Sequence, residues 1–109
     1  MPCKRKIYSI HLGMTSIEFI KSRLVEHKKR LSLRYGLSNI AVFGSYARNQ
    51  QTPESDIDIL VEFNKPIGAE FTDLADELEK ILAQKVDLVS KRGLKERHLK
   101  AIEKELVYV

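Results

Sequence analysis

The sequence holds one cysteine, Cys3, in 109 residues. That excludes an internal disulfide and a cysteine-cluster metal site, and it fits a reducing cytoplasm. The three histidines, His11, His27 and His98, show no metal-ligand spacing and read as surface groups. No apolar run approaches the ~18 residues that a membrane-spanning helix needs, so no membrane partner is expected. The opening Met-Pro-Cys-Lys-Arg-Lys is basic, yet no apolar segment of signal-peptide length follows it. Internal repeats and low-complexity stretches are missing too. Length is itself scarce: one domain fits, and a second module for gripping a substrate does not.

What the chain does contain is ordinary for a folded protein. A hydrophobic fraction of 43% excludes wholesale disorder. A chain of this size buries roughly 60–70% of its unfolded surface, enough for one modest core. Nineteen basic and fifteen acidic side chains leave a net charge of +4, within the usual range for a small soluble domain. Charge alone does not select a partner, and direct nucleic-acid binding is not expected from it.

Residues 1–14 read as a basic lead-in segment with an edge strand around 7–10, and residues 15–109 as the domain proper. Thr15-Ser16-Ile17-Glu18 has the form of a capping box. Ile17, Ile20, Leu24 and Leu31 then recur at helical spacing, predicting about five turns ended by Gly36. Residues 39–43 form a short apolar β run, broken by Gly44-Ser45, and 46–50 should begin a short helix. Pro53 sits in a polar loop. Residues 56–63 alternate: Ile57, Ile59, Val61 and Phe63 share one face, and Asp56, Asp58, Leu60 and Glu62 the other. A second amphipathic helix spans about 69–83 and a third strand 86–90. A last helix runs to about 105, and the apolar tail 106–109 is free to pack or pair. The result is a small α/β (α+β) domain, with a sheet of three or more strands flanked by helices.

Two features converge on chemistry. Gly44-Ser45 stands at a strand-to-helix junction, where glycine permits a sharp turn and close approach to a ligand. Serine offers a hydroxyl, and the amides that follow suit an anion. Arg48 can return over the same ligand with a planar guanidinium. The bland reading is a turn with a serine cap. The second feature is Asp56-Ile57-Asp58, whose carboxylates point the same way on a strand, roughly 7 Å apart. Taken alone it is more often a solvated face. Asp87, centred in its own apolar strand, changes that balance. Were the two strands neighbours with matching faces, three carboxylates would meet opposite the Gly-Ser turn. That arrangement suits metal-assisted phosphoryl or nucleotidyl transfer.

The run Phe43-Gly44-Ser45-Tyr46-Ala47-Arg48-Asn49, followed by Ser55-Asp56-Ile57-Asp58-Ile59-Leu60-Val61, resembles the signature of the DNA polymerase beta-like nucleotidyltransferases. Length and the downstream Val86-Asp87-Leu88-Val89 resemble the minimal nucleotidyltransferases among them, as does the closing Ile102-x-x-Glu105-x-Val107. The resemblance implies a small polymerase beta-like fold with a mixed sheet. It implies that Gly44 and Ser45 hold the triphosphate of ATP, with Arg48 close to it or bracing the loop. Asp56, Asp58 and Asp87 would be the catalytic carboxylates and the ligands of two Mg²⁺ ions, Asp87 also helping to deprotonate the acceptor. Ser55 would cap the loop before Asp56. One departure is Asn49, where the family usually has glycine; asparagine tolerates left-handed backbone angles, so the turn should survive.

The resemblance further implies a partner. In that family it is commonly a helical HEPN-type RNase toxin, silenced when AMP is transferred from ATP onto one of its tyrosine hydroxyls. The chain would then be the antitoxin of a HEPN/MNT toxin–antitoxin pair in the cytoplasm. Exposed apolar patches on the first and last helices suit the toxin or a second copy. Two alternatives stand beside this reading: an antitoxin that acts by binding without catalysis, and nucleotidyl transfer to RNA or a small molecule. Tyr46 is expected to pack, and Lys28-Lys29-Arg30 to be a solvated helix end.

Overall fold

A computed structural model describes residues 16–109. The expected lead-in, the strand around 7–10, Cys3, His11 and Thr15 lie outside the described residues. Helix α1 (Ile17–Tyr35) starts one position later than the capping box implies. Ser16 is its N-cap, its Oγ accepting from the Phe19 N–H (3.4 Å). Ile20, Leu24 and Leu31 form the buried stripe, as their spacing predicts, and Tyr35 closes it. Gly36 ends the helix in the left-handed region at φ 71, its N–H returning to Ser32 O.

Strand β1 (Leu37–Phe43) begins two residues before the expected run. It pairs antiparallel with β2 (Ile57–Phe63), placing Val42 opposite Ile59 and Phe43 opposite Asp58. Helix α2 (Glu70–Leu82) follows, burying Leu74, Leu78, Ile81 and Leu82. Strand β3 (Val86–Ser90) then lies parallel to β2. A single 3₁₀ turn (Lys91–Gly93) leads into helix α3 (Glu96–Glu103), which is shorter than its periodicity suggests. The apolar tail pairs rather than merely packs: β4 (Val107–Tyr108) runs antiparallel to β1. The four strands stand in the order β3-β2-β1-β4, a mixed sheet as expected.

The core fills one face of this sheet. Ile40, Val42, Ile57, Ile59, Val61 and Val86 meet Ile20, Leu24 and Leu31 of α1 and Leu74, Leu78 and Leu82 of α2. Each such side chain contributes about 1.5–3 kcal/mol when fully buried. The alternation in β2 is followed in part: Ile57, Ile59 and Val61 are fully buried and Phe63 partly so on the core face, while Leu60 is buried on the other. Ile57 N–H also donates to Lys85 O (3.0 Å), fixing the start of β2 against the entry to β3.

Helix α1 carries a less solvated basic run than its charge suggests. Lys28 Nζ donates to Val109 O (2.7 Å) and Arg30 pairs with Glu77 of α2 (2.9 Å), while Lys29 stays exposed. His27 Nδ1 lies 3.2 Å from the Arg30 guanidinium, and His98 is exposed.

Candidate active site

The expected short helix after Ser45 does not form; residues 44–49 make a run of turns instead. Its backbone bonds change span at each step: Arg48 N–H to Gly44 O, Asn49 N–H to Tyr46 O and Gln50 N–H to Ser45 O. A uniform helical ladder needs one repeat, and here three spans succeed one another. Asn49 stops the run in the left-handed region at φ 58, the conformation that a glycine would accept freely. The substitution therefore keeps the turn. Tyr46 is buried in the core, as its neutral reading holds.

Gly44 has φ 77, and a Cβ built on it would stand 2.9 Å from Asp58 Cγ and closer still to Oδ2. The turn thus touches the carboxylate strand so closely that no side chain fits between them. Its N–H donates to Glu105 Oε1 (3.0 Å). Arg48 pairs with the other oxygen of Glu105 (2.9 Å) and its Nε donates to Gln50 Oε1 (3.0 Å). Both contacts tie Arg48 to its own turn and to Glu105.

On the other side, the parallel register sets Asp58 directly beside Asp87. Partners in register share a face of the sheet, so the matching-faces condition is met. Asp56 precedes the strand and is half-buried; Asp58 is half-buried and Asp87 exposed. Burial, then the Asp87 carboxylate and Asp56, push the Asp58 carboxyl up to about 6, with Arg48 pulling the other way. Among the described residues no three acidic, imidazole or thiol side chains converge as a ready-made ligand set. The convergence is of a pair, Asp58 and Asp87, with Asp56 near enough to act on Asp58 electrostatically. Crowded like-charged oxygens of this kind fit a hard divalent cation, which would relieve the repulsion that raises Asp58.

The loop before Asp56 is pinned at Ser55. Its Oγ accepts from the Thr52 N–H (2.9 Å) and its N–H donates to Thr52 O (3.0 Å), closing the turn that contains Pro53. Gln84, which no sequence pattern marks, joins the turn and the loop before Asp56. Its Nε2 donates to Ser55 O (2.9 Å) and to the Tyr46 hydroxyl. Glu105 belongs to the closing pattern in sequence, and only the fold brings its carboxylate to the Gly44 N–H.

A glycine turn closed against paired carboxylates on a mixed sheet is an arrangement that suits nucleotidyl transfer. The comparisons agree. The family model described as nucleotidyltransferase domain matches residues 24–109, and the chain belongs to that family. It is 43% identical over 99 residues to protein adenylyltransferase MntA of Thermococcus cleftensis, covering 90% of this chain and 100% of that one. A Methanocaldococcus jannaschii relative, provisionally named protein adenylyltransferase MJ1379, is 48% identical over 100 residues, covering 88% and 100%. Among solved structures, a chain provisionally described as a minimal nucleotidyltransferase aligns at TM-score 0.73 and 33% identity, covering 85% and 95%. A complex of tri-AMPylated Shewanella oneidensis HEPN toxin with MNT antitoxin contains a chain that aligns at TM-score 0.55 and 25% identity, covering 79% and 70%. Among the described residues no helix is long and apolar enough to cross a membrane.

Proposed function

We propose that this chain is a Mg²⁺-dependent protein adenylyltransferase that moves AMP from ATP onto a tyrosine hydroxyl of a HEPN-type toxin, and so acts as its antitoxin. The single observation that carries the reading is the register of Asp58 beside Asp87, with Gly44 closing over Asp58. The names of the relatives supply the acceptor class, a protein, and the Shewanella complex supplies the partner type.

The chain's own groups divide the work. Gly44 lets the turn lie against Asp58, and Ser45 offers its hydroxyl to the triphosphate. Asp56, Asp58 and Asp87 would hold the divalent cations, whose charge offsets that of the triphosphate. Asp87, exposed on its strand, accepts the tyrosine proton. The tyrosine oxygen then bonds to the α-phosphorus, the bond from that phosphorus to the bridging oxygen breaks, and pyrophosphate leaves with the electron pair. Preorganised position and charge, more than covalent help from the protein, supply the rate.

The test is incubation with α-labelled ATP, Mg²⁺ and a HEPN-type helical protein from the same organism. Label on a tyrosine of that protein is the expected result. A tight complex that forms without label, unchanged by Asp56→Ala with Asp58→Ala, would instead establish neutralisation by binding. Label on RNA or a small acceptor without the partner would redirect the reading to another substrate.

A further inference from the structure

The Gly44 turn is held from outside its own motif. In the β1–β4 ladder, Val42 stands opposite Val107 and Ala41 opposite Tyr108. Extended by two residues, that register brings Gly44 opposite Glu105, at the point where the backbone pairing has stopped. A side chain completes what the ladder leaves open. One oxygen of the Glu105 carboxylate takes the Gly44 N–H (3.0 Å) and the other takes Arg48 Nη1 (2.9 Å). The Glu105 side chain is 21% exposed, so solvent screens this bridge less than a fully exposed pair. The two groups it engages, a glycine amide and a guanidinium at the mouth of the turn, are also the groups an incoming phosphate would seek.

We propose that Glu105 is a positioning residue for nucleotide binding, which fixes the Gly44–Ser45 turn against Asp58 and makes Arg48 a brace of that turn rather than a ligand of the triphosphate. The inference rests on the nucleotidyl-transfer reading and assigns Glu105 no contact with substrate. Two observations require such a fixture. The turn lacks a regular hydrogen-bond ladder and the glycine at its head restrains the backbone least, so bonds from elsewhere must select this one conformation. A carboxylate this close to a triphosphate would also repel it unless neutralised, and Arg48 supplies that neutralisation.

The experiment compares wild type, Glu105→Ala, Glu105→Gln, Arg48→Ala and the Glu105→Ala/Arg48→Ala double variant. Calorimetry gives the Kd for ATP·Mg²⁺, steady-state kinetics the KM for ATP, and thermal melting the folded state. Folded Glu105→Ala should bind ATP roughly tenfold or more weakly, the scale of losing hydrogen bonds to a charged group. Glu105→Gln, which keeps an acceptor for the Gly44 N–H, should recover most of that loss. Adding Arg48→Ala to Glu105→Ala should weaken binding no further, because a brace with nothing to brace against is already lost. A Glu105→Ala protein that binds ATP like wild type overturns the proposal, whatever its melting temperature. So does an Arg48→Ala loss of equal factor in both backgrounds, which would mark a direct phosphate ligand. If Glu105→Ala does not fold, Glu105→Gln replaces it, and a full Arg48→Ala loss on top of it overturns the proposal equally. Wild type that binds no ATP would overturn the nucleotidyl-transfer reading as well, whereas unchanged affinity in the Glu105 variants removes this inference alone.

Discussion

The two faces of the sheet obey opposite rules. On the helical side, Ile57, Ile59 and Val61 are fully buried in one apolar cluster with residues of α1 and α2. On the other side the same strand presents Asp58 next to Asp87, and burial raises the energy of the charged form rather than lowering it. One strand of seven residues therefore builds both the stability and the strain of the molecule, separated by the period of two. Stability and activity should respond to different residues, and each substitution below tests that separation.

The largest effect belongs to the strained face. Asp87→Asn should lower adenylyl transfer by roughly 10²–10⁴-fold, the usual worth of a positioned acid–base group. Its melting temperature should not fall, because a repulsive charge is removed; a marked drop would show that the face is structural after all. Next comes the packed face. Leu78→Ala empties a fully buried site on α2 and should cost about 2–5 kcal/mol in urea unfolding. Turnover per folded molecule should hold, and a loss of activity beyond the folded fraction would break the separation.

The third test follows the proton on Asp58. The folded state holds it more tightly than the unfolded chain, about 6 against an ordinary 3.8. The cost of ionising Asp58, burial first and repulsion second, is thus absent below about pH 4 and fully felt once pH rises through 6. In Mg²⁺-free buffer, wild type should lose stability relative to Asp58→Asn as pH climbs across that window. Added Mg²⁺ should close the gap at neutral pH and change little near pH 4. A difference between the two proteins that stays constant with pH would contradict the assignment. The smallest effect lies at Asn49, at φ 58: Asn49→Ala should cost about 1 kcal/mol and Asn49→Gly nothing, measured by thermal unfolding.

The sequence makes part of this legible and hides the rest for identifiable reasons. Alternation in residues 57–63 is strong because one side of β2 is wholly apolar, so both the strand and the direction of Asp58 can be read from it. The central aspartate of β3 is legible for the same reason, and only its neighbour had to be supplied by the fold. Residues 46–50 look like the start of a helix by composition. The backbone there bends through three different hydrogen-bond spans and then into Asn49, which local propensity cannot anticipate. Glu105 and Gln84 were hidden by distance. One lies 61 residues from the amide it holds, and the other 29 and 38 from its two contacts. Neither has a periodicity to betray it, since each acts as a single polar strut.

Asp87 also has a position, apart from its charge. Its strand, β3, is the outermost of the described sheet, with β2 on one flank and no described strand on the other. The carboxylate is exposed at that rim. A catalytic base sunk in a cleft admits only acceptors slender enough to enter, whereas a base on the rim can be approached sideways by something as large as the chain itself. On the proposed reading, the placement of Asp87 on an edge strand leaves the site open to an acceptor as large as a protein.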